Sequence, residues 1–189
     1  MTRAPWIALA AMLAAAPALA ADGGDSPFET AGWTWHGYGS GSFGDEAGEL
    51  WQSRLGAQRH WANGLAVEIG GSVGVVDPES IGGEEASLGG VVGFDLLLRW
   101  YFHRAERWAM FADAGAGALW FEDEFPTHDG TSFNFQPQAG LGFVHRVGED
   151  LWLLWGARWH HVSNANVFGK EENRGYDAAM PYVGVIWRL

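Results

Sequence analysis

Leu65-Ala66-Val67-Glu68-Ile69-Gly70-Gly71-Ser72-Val73-Gly74-Val75 alternates from end to end. Its odd positions are apolar, Gly71 apart, and its even positions are small or polar. A period of two places every second side chain on one face of an extended strand. This stretch therefore predicts a strand with two unlike faces, one greasy and one compact or polar.

The same pattern recurs outward from it in both directions. Eight segments carry it: about 33–44, 50–62, 65–76, 87–103, 108–122, 132–146, 151–164 and 176–189. Most exceed the ~5–6 residues of an ordinary soluble strand and reach the ~9–11 that a tilted strand needs to cross a bilayer. Their connections alternate as well. Ala62-Asn63-Gly64, His103 to Arg107 and Val147 to Asp150 are short. Gly44 to Glu49, Asp77 to Glu85, Glu122 to Gly130 and Asn164 to Gly175 read as longer and acidic. Short turns at one end and long loops at the other are the pattern of an outer-membrane barrel. Glycines inside the segments suit the bends of a small barrel, and the tryptophans suit interfacial girdles. The expected fold is all-β, an eight-stranded antiparallel transmembrane outer-membrane β-barrel. A soluble secreted barrel or sandwich shares the alternation, since soluble antiparallel sheets also have one wet face.

The rest of the chain agrees with export. Residues 1–20, MTRAPWIALAAMLAAAPALA, have a basic start at Arg3, a short apolar run and a small-residue Ala18-Leu19-Ala20 end. They read as a signal peptide, leaving 21–189 as one barrel domain in the outer membrane of a Gram-negative cell. Cysteine is absent, which excludes disulfides, cysteine nucleophiles and Cys-based metal sites. A formal charge of −12 argues against nucleic acid as a partner. With 12 Trp, 11 Phe and 28 Gly, a mean hydropathy of −0.09 requires interleaved rather than segregated apolar residues.

Near the C-terminus stands Trp159-His160-His161-Val162-Ser163-Asn164-Ala165-Asn166. Its segment divides into Leu151, Leu153, Trp155, Ala157, Trp159, His161 and Ser163 on one face and Trp152, Leu154, Gly156, Arg158, His160 and Val162 on the other. An arginine at membrane depth faces the lumen, where a counter-charge or water can solvate it. His161 and Ser163 then face lipid. With both chain ends in the periplasm, the seventh strand finishes at the cell-exterior rim, beside the glycolipid head groups. On the returning eighth segment Asp177 shares the parity of Val183, Val185 and Trp187, unless a bulge at Pro181 reverses it.

That constellation permits acyl transfer. A serine hydroxyl needs a base to take its proton, and the base needs a carboxylate to orient it. His161 lies two residues from Ser163 on one face, roots roughly 6–7 Å apart. Asp177 would fix the imidazole tautomer. Asn164 or nearby backbone N–H groups would stabilise an oxyanion. A nucleophile in contact with acyl chains beside head-group esters implies hydrolysis of a lipid ester.

His161-x-Ser163-Asn164-Ala165, then Asn173-Arg174-Gly175-Tyr176-Asp177 and the closing Gly184-Val185-Ile186-Trp187-Arg188-Leu189, resemble the PagL family of lipid A 3-O-deacylases. Asp113-Ala114-Gly115-Ala116-Gly117-Ala118 and Phe133 to Gly142 resemble that family's middle strands. The resemblance implies an eight-stranded outer-membrane barrel that removes the ester-linked acyl chain at the 3-position of lipid A. It implies Ser163 as nucleophile, His161 as general base and Asn164 as oxyanion donor. Asp177 stands where the family pattern carries Glu, in a loop slightly longer than the family's, which leaves Glu171 or Glu172 as alternatives; Asn166 stands where the family often carries Gly. The expected partners are lipid A or lipopolysaccharide as substrate, the membrane, and as one option a homodimer. No cofactor is needed.

Other residues read as structural. His160 is expected in the lumen against Asp95, Asp113 or Glu68. Arg99, Arg146, Asp113 and Gln138 are expected in an interior polar network that fills a small closed barrel and leaves no pore. The acidic loops 77–85 and 122–129 suit solvated surface, with divalent-cation binding as the rarer reading; His128 beside Asp129 is too sparse for a metal site. Gly37-Tyr38-Gly39-Ser40-Gly41 lacks the lysine and helix of a phosphate loop. Two rivals to the esterase stand: a non-enzymatic structural or adhesion barrel, and a soluble lipid-binding barrel of the periplasm.

Overall fold

The computed structural model describes residues 28, 32–44, 48–77, 89–125, 130–167 and 175–189. The signal peptide reading, Glu171, Glu172, His128, Asp129 and most of the acidic loops lie outside the described residues. The rest forms eight strands: β1 (Gly32–Gly44), β2 (Glu49–His60), β3 (Leu65–Asp77), β4 (Gly89–Arg104), β5 (Trp108–Phe125), β6 (Thr131–Arg146), β7 (Leu151–Val162) and β8 (Tyr176–Trp187). Each pairs antiparallel with its sequence neighbours, and β1 pairs with β8, closing the barrel. Closure removes the sheet edges, so every strand has a partner on both sides.

The expected segments become these strands with small shifts at their ends. One connection differs from expectation. The β1–β2 link is 45–48, only four residues, and does not belong with the long loops. The Asn63-Gly64 turn behaves as its sequence demands. Both residues take left-handed φ, 70° and 75°, which asparagine and glycine tolerate in a tight hairpin.

Alternation produces the two faces. In β3, Ile69 and Val73 are outward and exposed while Ala66 and Glu68 are fully buried. Leu55, Leu96, Leu98 and Leu141 extend the outward apolar belt, with Trp33, Trp35, Trp61, Trp100 and Trp108 toward the rim bearing the chain ends. Trp152 departs from the girdle and is buried in the lumen.

The lumen is filled in three layers. Toward the rim with the chain ends, Tyr38, Tyr101, Phe111, Trp152, Leu154, Tyr182 and Ile186 pack together, and Phe28 stacks on Tyr101 at 4.4 Å. At the opposite rim Leu50, Val76, Val91, Leu119, Phe121, Phe125, Val162 and Tyr176 form a second apolar plug. Between them lie three arginines and three carboxylates, all buried. Arg54 pairs with Asp95 and Glu68; Arg99 with Glu68 at 2.9 Å and Asp113 at 2.8 Å; Arg158 with Asp113 at 2.8 Å. Charges balance one for one, so the layer satisfies the demand that buried ions be paired.

Three interior expectations are refined here. Gln138 joins the network through Arg158, as expected. Arg146 does not: its guanidinium donates to the carbonyls of Gly148 and Glu149 in the β6–β7 turn. His160 is in the lumen, but its Nδ1 meets Gln136 at 2.7 Å rather than a carboxylate.

Candidate active site

The site is built where β7 and β8 meet near the rim opposite the chain ends. The β7–β8 register runs unbroken from Leu151↔Trp187 to Val162↔Tyr176. Pro181 faces Ala157 within it and produces no bulge. The parity of Asp177 therefore holds, and it faces outward directly opposite His161. Opposed residues on one face have roots about 4.5–5.5 Å apart, close enough for an aspartate to span. His161 Nδ1 lies 3.1 Å from Asp177 Oδ1. Both are on the outer surface, their side chains 28% and 62% exposed.

Ser163 follows two residues later. Its amide donates to the Phe135 carbonyl at 3.1 Å and its carbonyl accepts from the Phe135 amide at 2.7 Å. This bridge continues the β6–β7 register, in which Gln138 faces His160, so Ser163 keeps the outward parity of His161. Ser163 is nonetheless only 7% exposed.

Beyond Ser163 the chain turns tightly. Asn164 Oδ1 accepts the Asn166 amide at 2.8 Å, and its carbonyl accepts the Val167 amide at 3.0 Å. The first bond engages the carbonyl end of the asparagine side chain and makes its Nδ2 the donor end. Ala165 and Asn166 both take left-handed φ, 53° and 61°. Position 166 thus requires a residue that tolerates that region, which asparagine does.

Two residues that sequence reading left among the surroundings take part. Trp159 Nε1 donates to Asp177 Oδ1 at 3.0 Å, on the same oxygen that meets His161. Gly175 supports the imidazole: a Cβ built there would lie 2.4 Å from His161 Cε1 and 3.1 Å from Nε2. Parity alone assigns Trp159 to lipid. Its hydrogen bond depends on the β7–β8 register, which places Asp177 diagonally across from it.

The arrangement holds one imidazole nitrogen against a carboxylate, with the serine two residues further along the same face. Its surroundings are apolar and outward-facing, with Phe135 and Trp159 flanking. Among the described residues no group of three or more His, Asp or Glu could hold a metal ion.

A family model described as "Lipid A 3-O-deacylase (PagL)" matches residues 24–185. The crystal structure of the outer membrane enzyme PagL superposes with a TM-score of 0.62 at 17% identity, covering 82% of this chain and 99% of that one. Neisserial surface protein A gives 0.59 at 9% identity, over 83% and 96% of the two chains. OprG from Pseudomonas aeruginosa gives 0.58 at 14% identity, over 86% and 98%. At such identities these likenesses show the fold, that of small outer-membrane barrels. Among curated proteins none matches the chain.

Proposed function

Because the chain belongs to the PagL family of lipid A 3-O-deacylases, we propose that it hydrolyses the 3-position ester of lipid A as a serine esterase. Ser163 is the nucleophile, His161 the general base, Asp177 the carboxylate that orients it, and Asn164 a donor to the oxyanion. The observation that carries this reading is the His161 Nδ1–Asp177 Oδ1 contact of 3.1 Å on the barrel's outer surface, two residues before Ser163. A charged relay on an otherwise greasy face has no packing purpose, and ionisable groups at membrane depth are costly.

The chemistry follows from which nitrogen is engaged. Asp177 holds Nδ1–H, so Nε2 accepts the Ser163 proton as Oγ attacks the ester carbonyl. The carbonyl π electrons move to oxygen, and the Asn164 amide with nearby backbone N–H groups stabilises that charge. Collapse breaks the bond to the sugar O3, which takes the proton from His161 and departs as an alcohol. Water then attacks the acyl-enzyme through the same base. The products are a free 3-hydroxy fatty acid and 3-O-deacylated lipid A. An outward triad at the cell-exterior rim would meet this ester in the outer leaflet, without extracting the lipid into a pocket. The reaction needs no cofactor.

Mass spectrometry of lipid A tests it, comparing cells that make the parent with cells that make Ser163→Ala, in membranes and after detergent solubilisation. The expected result is loss of one 3-hydroxyacyl chain with the parent alone. Lipid A left whole by both, in membranes and in detergent, would mean a barrel that serves a structural role.

A further inference from the structure

The geometry points to Trp159 as a fourth member of the site, a positioning residue that acts on His161 only through Asp177. This rests on the roles proposed above for Ser163, His161 and Asp177.

Trp159 and His161 are successive outward residues of β7, and their N–H donors converge on a single atom, Asp177 Oδ1, at 3.0 and 3.1 Å. The two rings lie 22° from parallel with centroids 6.3 Å apart. Trp159 can lean across to β8 because the residue directly opposite it is Ala179. A larger side chain there would occupy the path of the indole.

The need for this bond follows from where Asp177 stands. A carboxylate on the outside of a membrane barrel has few donors, and an unsatisfied charge there is expensive. An sp² oxygen has two lone pairs in its plane. One takes the imidazole N–H and the other the indole N–H. With one donor the carboxylate could rotate away from His161; with two on the same oxygen its orientation is fixed. Indole suits the task, being apolar enough for lipid and carrying a single donor that is always protonated. A tryptophan serving only as an interface anchor would present its N–H to head groups or water instead.

The test uses the full chain in detergent micelles with Trp159→Phe, Asp177→Asn and the double variant. Phenylalanine keeps the apolar ring and removes the donor. Two readouts are taken: steady-state release of fatty acid from lipid A, and the rate at which a fluorophosphonate labels Ser163. Trp159→Phe is expected to lower kcat and the labelling rate about tenfold, the scale of a lost hydrogen bond to a charged group, with KM nearly unchanged. In the Asp177→Asn background the same change should cost no more than about twofold, because residues acting as one unit are not additive. Ala179→Leu, which crowds the indole from β8, should reproduce the loss and supplies a second route should Trp159→Phe assemble poorly.

Unchanged rates in Trp159→Phe and Ala179→Leu, or losses that multiply fully in the double variant, overturn the proposal. A parent that labels at Ser163 but leaves lipid A whole overturns the substrate assignment alone, and the labelling cycle still decides the role of Trp159. A parent that neither labels nor hydrolyses overturns both.

Discussion

His161 and Asp177 are a directly opposed cross-strand pair on the outer surface of the barrel, joined Nδ1 to Oδ1 at 3.1 Å. The unbroken β7–β8 ladder sets their separation, so neither depends on a loop for its place. Asp177→Asn keeps the size of the side chain and removes the charge that, in the proposed reaction, would stabilise an imidazolium. Asp177→Ala removes the contact altogether. Both are expected to slow fatty-acid release by about 10²–10⁴, the range for loss of an acid–base function. Asp177→Glu retains a carboxylate and should fall between parent and alanine. Initial rates in detergent on the three variants check this, and an Asp177→Ala enzyme as fast as the parent would remove Asp177 from the relay.

Gly175 makes a separate prediction. The imidazole lies against its Cα, and an added Cβ would sit 2.4 Å from His161 Cε1. No real contact is that short, so Gly175→Ala must displace the ring. A shift of about 1 Å at a reacting group can cost on the order of 10²-fold in rate. Gly175 immediately precedes β8, outside the packed lumen, so assembly should be preserved. The expected outcome is a folded barrel, judged by its heat-dependent gel mobility, with kcat reduced at least tenfold.

The turn after the serine carries a third. Ala165 holds a left-handed φ of 53°, a conformation that costs alanine about 1 kcal/mol. Ala165→Gly relieves that cost and should leave activity intact. Ala165→Val adds a β-branched side chain where it fits worst, so the turn holding Asn164 must shift. Activity assays on the two should diverge, with glycine at or above the parent rate and valine well below it. Equal rates would mean that this turn does not position Asn164.

What the sequence discloses and what it withholds follow from one distinction. Alternation is a property of each strand by itself, so the eight strands, the outward parity of His161 and Asp177 and the inward parity of Arg158 and His160 were all legible. Partnerships depend on register between strands, which alternation leaves undetermined. His160 was expected against a carboxylate and meets Gln136, diagonally across on β6. Arg146 shares the strand parity of many residues, yet lies close enough to the turn for its guanidinium to cap carbonyls there. Trp159 was assigned to lipid by parity, and its hydrogen bond appears only once Asp177 is placed two rungs away on β8. The outward face of Asp177 was legible from parity, but its position directly opposite His161 comes from the β7–β8 register.

The lumen and the outer surface should respond separately to mutation. Asp113 is 4% exposed on the inner face of β5 and accepts from both Arg99 and Arg158, each with its side chain fully buried. Asp113→Ala leaves two guanidinium groups competing for fewer anions in a closed interior. Breaking a buried pair in this way typically costs about 3–5 kcal/mol, because the uncompensated charge remains. The midpoint of urea unfolding in detergent should fall accordingly. Asp113 also reaches β7 through Arg158, but His161, Ser163 and Asp177, the proposed reacting groups, face outward on the other side of the wall. Molecules that remain folded should therefore hydrolyse lipid A at close to the parent rate. A loss of rate per folded barrel matching the loss of stability would show that the interior charges govern the outer site as well.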